Sequence, residues 1–123
     1  MTILVVDDNK KSRDILRRKL RQLAYIDIME ASNADEAKKI ISERSLEAII
    51  VKYDLPEVNG IEFSKQIRQK GYNHPILLKV SSSTGMEVYD KNLKEPRIDH
   101  VLAGSFSLSE LRGALYKTGV FKK

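Results

Sequence analysis

Cysteine is absent from the 123 residues, which excludes disulfides and thiolate metal sites. Long apolar runs are absent as well: no stretch approaches the roughly 20 residues a membrane helix requires. The amino-terminal run Ile3-Leu4-Val5-Val6 is too short for a signal peptide and meets Asp7 and Asp8 at once. The expected compartment is therefore the cytoplasm, with no membrane partner. Histidine is scarce. His74 precedes a proline and His100 sits in a strand-like run; neither has metal-ligand spacing, so both are read as structural. No internal repeat, linker or low-complexity tract divides the chain, and its length fits one domain over residues 1–123, since domains cluster near roughly 100–150 residues. Phe121-Lys122-Lys123 follow the last helical pattern closely, leaving no room within these residues for an output domain.

Apolar residues make up 41% and charged residues 32%, enough hydrocarbon for one core and not for two. The net charge of +5 favours nucleic acid or an acidic protein as partner and does not choose between them.

Ile3 to Val6 is rich in β-branched residues and reads as a strand buried on both faces. Any of Asp7, Asp8 and Asn9 can cap the helix that follows. Lys10 to Leu23 places Leu16, Leu20 and Leu23 at helical spacing with Ile15 beside them, and its other faces are crowded with lysine and arginine. Tyr25 to Met29 reads as a weakly alternating second strand. Ser32-Asn33 before Asp35-Glu36 starts a second helix, with Ala37, Ile40 and Ile41 as its apolar stripe.

The stretch Ala48 to Gly60 organises the rest. Four apolar residues, Ala48-Ile49-Ile50-Val51, stop at Lys52; a polar segment with Pro56 follows, and Asn59-Gly60 opens a helical pattern that runs to Lys70. This is a buried strand delivering its last residue to the carboxyl end of a sheet, where open α/β folds place their chemistry. Asn and Gly tolerate positive φ, so Asn59-Gly60 is read as serving the loop. Ile76 to Val80, with Lys79 inside it, reads as a fourth strand and Ile98 to Leu102 as a fifth. Met86 to Arg97 is sparse in apolar positions and holds at most one short helix before Pro96. Ser107-Leu108-Ser109-Glu110 has the form of a capping box and opens a last helix, with Gly119 after it. Five β-α alternations imply parallel strands, right-handed crossovers and helices on both faces: a single doubly wound α/β domain.

Ile3-Leu4-Val5-Val6-Asp7-Asp8-Asn9, Ala31 to Ala37, the stretch through Leu55-Pro56 and Asn59-Gly60-Ile61-Glu62, and Phe106 to Leu111 together make the chain resemble the receiver domain of two-component response regulators over nearly its whole length. The resemblance implies a flavodoxin-like (βα)5 fold with strand order 2-1-3-4-5. It also implies an aspartate that accepts a phosphoryl group, four residues before the proline. Counting back from Pro56 gives Lys52; Asp54 is two residues late and matches the position that offers its backbone carbonyl to the metal. The acidic pair of the family's Mg²⁺ site is kept as Asp7 and Asp8. The hydroxyl position falls on Val80, or on Ser81 with one inserted residue. Anchoring on Phe106 puts the family's lysine at Gly104, its proline at Ser105 and its switch aromatic at Val101.

A lysine cannot form an acyl phosphate, and an ammonium repels Mg²⁺, which prefers oxygen ligands. No cofactor is expected, with Mg²⁺ binding doubtful, and no enzymatic or catalytic residue. Instead, Lys52 is expected to bridge Asp7 and Asp8, an attraction of about 4 kcal/mol per pair at 4 Å before desolvation. The leading reading is a degenerate receiver, a pseudo-receiver, in two-component or phosphorelay signal transduction, acting through phosphorylation-independent protein–protein interaction. The expected partner is a signalling protein, such as a kinase or phosphotransfer domain docking on the helix that carries Lys10, Arg13, Arg17 and Arg21; homodimers are a further expectation of the family. Two alternatives are an unconventional phosphoreceiver using Asp54 and a basic domain binding nucleic acid through the Lys10–Arg21 helix, whose arginines recur every four residues.

Overall fold

Continuous apolar runs become the inner strands of the sheet. In the computed structural model, which describes residues 2–81 and 96–120, β1 (Ile3–Val6), β3 (Ala48–Lys52) and β4 (Ile76–Val80) lie inside, flanked by β2 (Ile28–Ala31) and β5 (His100–Ala103). The sheet is parallel throughout, in the order β2-β1-β3-β4-β5. Among the described residues the helices are α1 (Lys10–Gln22), α2 (Ala34–Glu43), α3 (Gly60–Gln69) and α4 (Leu108–Lys117). None is long and apolar enough to cross a membrane.

Side chains alternate across each strand, so the sheet divides one hydrocarbon layer from another. Leu4, Val6, Ile49, Val51 and Leu78 pack on one side with Ala37 of α2 and Phe63 and Ile67 of α3. Ile3, Val5, Ile50, Leu77 and Leu102 pack on the other with Leu16 and Leu20 of α1 and Leu111 and Leu115 of α4. Continuing the alternation by two residues puts Asp7 on the face of Val5, Lys52 on that of Ile50 and Lys79 on that of Leu77. Register completes the arrangement: Val6 pairs with Val51, and Lys52 with Lys79. Three charged side chains therefore leave one end of the sheet on one face.

Polar caps start the helices. The side chains of Asn9, Asn33, Asn59 and Ser107 each accept from a backbone N–H of the first turn, and Ser107 with Glu110 forms the reciprocal capping box.

The elements depart from the sequence reading at the sheet edges. The second strand is Ile28–Ala31, displaced along the chain from Tyr25–Met29, because Tyr25 leaves the sheet to donate its phenol hydrogen to the Val120 carbonyl. The fifth is His100–Ala103 instead of Ile98–Leu102; Ile98 is buried before the strand begins. Ile15, expected beside the apolar stripe of α1, is 43% exposed. Asn59 has φ −76 and Gly60 no positive φ, so the loop does not use their left-handed freedom; Glu57 adopts it, at φ 70. Gly60 is needed for a different reason. A Cβ there would sit 2.6 Å from the Lys52 carbonyl oxygen and 2.8 Å from Leu78 Cδ1, so α3 starts against the end of β3 only because this residue has no side chain. Of the segment read as sparse, residues 86–95 lie outside the described residues.

Candidate functional site

The β1, β3 and β4 ends bring four charged side chains together. Asp7 follows β1 and is 1% exposed. Its Oδ1 accepts the Asn9 N–H at 2.9 Å, and its Oδ2 accepts Lys79 Nζ at 2.6 Å. Lys52, the last residue of β3, donates from Nζ to Asp8 Oδ1 at 3.0 Å and lies 3.9 Å from Asp7 Oδ1. Lys52 thus spans both carboxylates, and Lys79 closes on the buried one from the neighbouring strand. An unpaired buried carboxylate would be costly, and the second ammonium removes that cost.

Burial by itself pulls the Lys52 pKa down, but the hydrogen bond to Asp8 and the charges of Asp7, Asp8 and Asp54 outweigh it and hold the ammonium above its ordinary value. Lys52 is therefore a fixed cation at neutral pH. The Asp7 backbone carbonyl is also engaged, accepting Arg13 Nη1 at 2.7 Å.

This donor set does not fit Mg²⁺. The ion asks for oxygen ligands in a near-octahedral shell, while both Asp7 oxygens accept N–H groups and the accepting Asp8 oxygen holds an ammonium. Among the described residues, no three His, Cys, Asp or Glu side chains are grouped to hold a metal ion.

The other positions singled out from sequence separate into two sets. Val80 is buried on the α3 side, Ser81 is exposed just past β4, and the Gly104 N–H donates to the Val80 carbonyl at 2.9 Å with φ 59 at Gly104. Ser105 is exposed, Phe106 is buried and Val101 packs partly buried on the α3 side. Asp54 is exposed in the loop, two residues beyond the strand, and β3 ends where the residue count from Pro56 requires.

The basic residues of α1 do not form a row of free cations. Lys10 pairs with Asp14 at 2.9 Å. Arg13 and Arg17 both turn to Glu30 of β2, at 3.2 and 3.1 Å. Arg21 is exposed near the helix end. Lys19, not singled out from sequence, reaches across to the loop after β5, donating to the Phe106 carbonyl at 2.8 Å with its Nζ 4.9 Å from the Phe106 ring centroid.

Lys79 is the site residue that sequence reasoning missed. It appeared as one charged residue inside an apolar strand. The available signal was positional: parallel strands deliver their last residues to the same end of a sheet, so a lysine next to last in β4 arrives beside one that is last in β3.

The model of the response regulator receiver domain family matches residues 3–116. A chemotaxis protein CheY homolog of Campylobacter jejuni is 31% identical over 87 residues, covering 69% of this chain and 67% of that protein. A probable chemotaxis protein CheY of Rhizobium etli is 24% identical over 113 residues, covering 92% and 88%. In fold, the chain is similar to the crystallised chemotaxis protein CheY4 of Vibrio cholerae, with TM-score 0.85, 24% identity and coverage of 95% and 97%.

Proposed function

The chain belongs to the response regulator receiver domain family, and we propose that within this family of two-component signalling modules it is a pseudo-receiver: Lys52 stands in place of the phosphoacceptor aspartate, and the domain works by phosphorylation-independent binding of a protein partner. One observation carries the reading. The carboxylates Asp7 and Asp8 are occupied by ammonium groups from their own chain, Lys79 on the first and Lys52 on both. A phosphoryl acceptor and a metal would each have to displace a covalently tethered cation. The site has no carboxylate at the end of β3 to attack a phosphorus atom, and the charge that a metal would neutralise is already offset by Lys52 and Lys79.

The exposed position of Asp54 and the unshifted end of β3 weigh against Asp54 as acceptor. The engagement of Arg13 and Arg17 by Glu30 weighs against α1 as a phosphate-tracking helix. The partner that fits is a signalling protein, a kinase or phosphotransfer domain or a second copy of this chain, met by residues 1–123 acting as one domain.

Incubation with acetyl phosphate and Mg²⁺, followed by intact-mass measurement, tests the reading. No adduct of phosphoryl mass is expected. An adduct lost in the Asp54→Asn variant would replace this reading with an unconventional phosphoreceiver.

A further inference from the structure

Beside the ion pairs lies a cleft of about 390 Å³ between α1 and the ends of β3, β4 and β5. Such a volume is within the range of small-molecule sites, which in open α/β sheets gather at the carboxyl ends of the strands. Two features of its lining shape the space. Gly104 and Ser105 place nothing larger than a hydroxymethyl group at its rim. Ile15 also lines it, half exposed on a helix whose buried residues are Leu16 and Leu20.

The lysines around the cleft differ in what engages them. Lys52 and Lys79 are paired with Asp8 and Asp7, and a further carboxylate, Asp54, acts on Lys52. Lys19 is a third cation in the lining, and its described partners are the carbonyl and the ring of Phe106, neither of them anionic. Among the described residues Lys19 is therefore the lining cation without a carboxylate partner, and it lies next to Ile15 and Phe106, with Ser12 and Ser105 also in the lining. The ligand these features suit has one negative charge on an apolar body.

We propose that this cleft binds a small organic carboxylate, with the carboxylate group on Lys19 and the body against Ile15 and Phe106. A charge-assisted hydrogen bond to a carboxylate is stronger than the one Lys19 makes to a carbonyl, so the ammonium exchanges partners on binding. Neither phosphorylation nor a protein partner is required for this.

Titration of ¹⁵N-labelled protein with benzoate, benzamide and inorganic phosphate, followed by amide shifts, tests the assignment. Benzoate is expected to give saturable shifts at Ser12, Ile15, Lys19, Ser105 and Phe106 with a dissociation constant of about 1 mM, within reach of a ligand of this size. Benzamide and phosphate, each lacking one half of the recognised chemistry, are expected to bind at least about tenfold more weakly. Lys19→Met keeps the stem and its packing and should weaken benzoate by about tenfold. Ile15→Glu, at a half-exposed position, should abolish it; thermal melts of both variants confirm that they fold. The assignment is overturned by the absence of saturable benzoate shifts, by benzamide or phosphate binding as tightly as benzoate, or by undiminished benzoate binding in Lys19→Met.

Discussion

Lys52 and Lys79 share one pair of carboxylates, but they do not face the same water. Lys79 is matched to Asp7, which is 1% exposed, while Lys52 makes its short contact with Asp8, whose side chain is 39% exposed. Removing the first cation leaves a buried charge with only the longer 3.9 Å contact to Lys52; removing the second leaves a carboxylate that water can solvate. Lys79→Met is therefore expected to destabilise the protein by about 3 kcal/mol, against about 1 kcal/mol or less for Lys52→Met. Urea denaturation of the two variants measures the difference, and equal losses would show that Lys52, 3.9 Å from Asp7, shares the buried charge evenly with Lys79. At this scale half of the arrangement was legible in the residues. Lys52 was legible because a proline four residues on marks the strand end. Lys79 was not, because its role depends on the pairing of β3 with β4, and register is a relation between two segments that neither contains.

At the scale of elements, the junction of β3 and α3 is closely packed. The Gly60 N–H donates to the Tyr53 carbonyl at 2.8 Å, and the helix begins with no room for a methyl group against the Lys52 carbonyl. Gly60→Ala is expected to cost about 1–3 kcal/mol by forcing the helix start away from the strand. Its visible signature would be amide shifts at Lys52 and Tyr53 alongside a lowered denaturation midpoint; a neutral substitution would mean that the helix start moves freely. The inner strands were legible from composition because both of their faces are buried and their runs are unbroken. The edge strands were not. β2 takes its position from a tyrosine that reaches Val120, far along the chain, and β5 from the Asp99 carboxylate, which receives Arg68 Nη2 at 2.9 Å and the Ile76 N–H at 2.8 Å just before the strand starts. Long-range polar contacts of this kind leave no periodicity to read.

For the molecule as a whole, pH acts through His100. Burial, and after it the charge of Lys117 on α4, hold the His100 pKa below its ordinary value. The unfolded chain then takes up a proton before the folded one does, so this contribution is complete above about pH 6.5 and is lost as pH falls through that value toward the depressed native one. His100→Gln is expected to flatten the dependence, measured as denaturation midpoints at about pH 7.5 and 5.5; an unchanged slope would place the titrating group elsewhere. The ion pairs at the sheet's end constrain the molecule in another way, across sequence space. Placing a carboxylate at position 52 while Lys79 still occupies Asp7 adds a third negative charge to a site with one cation. Removing Lys79 first leaves the buried Asp7 with only Lys52, 3.9 Å away. Each order of single substitutions toward a three-carboxylate site is expected to cross a less stable protein, so the charges of Asp7, Lys52 and Lys79 are tied to one another.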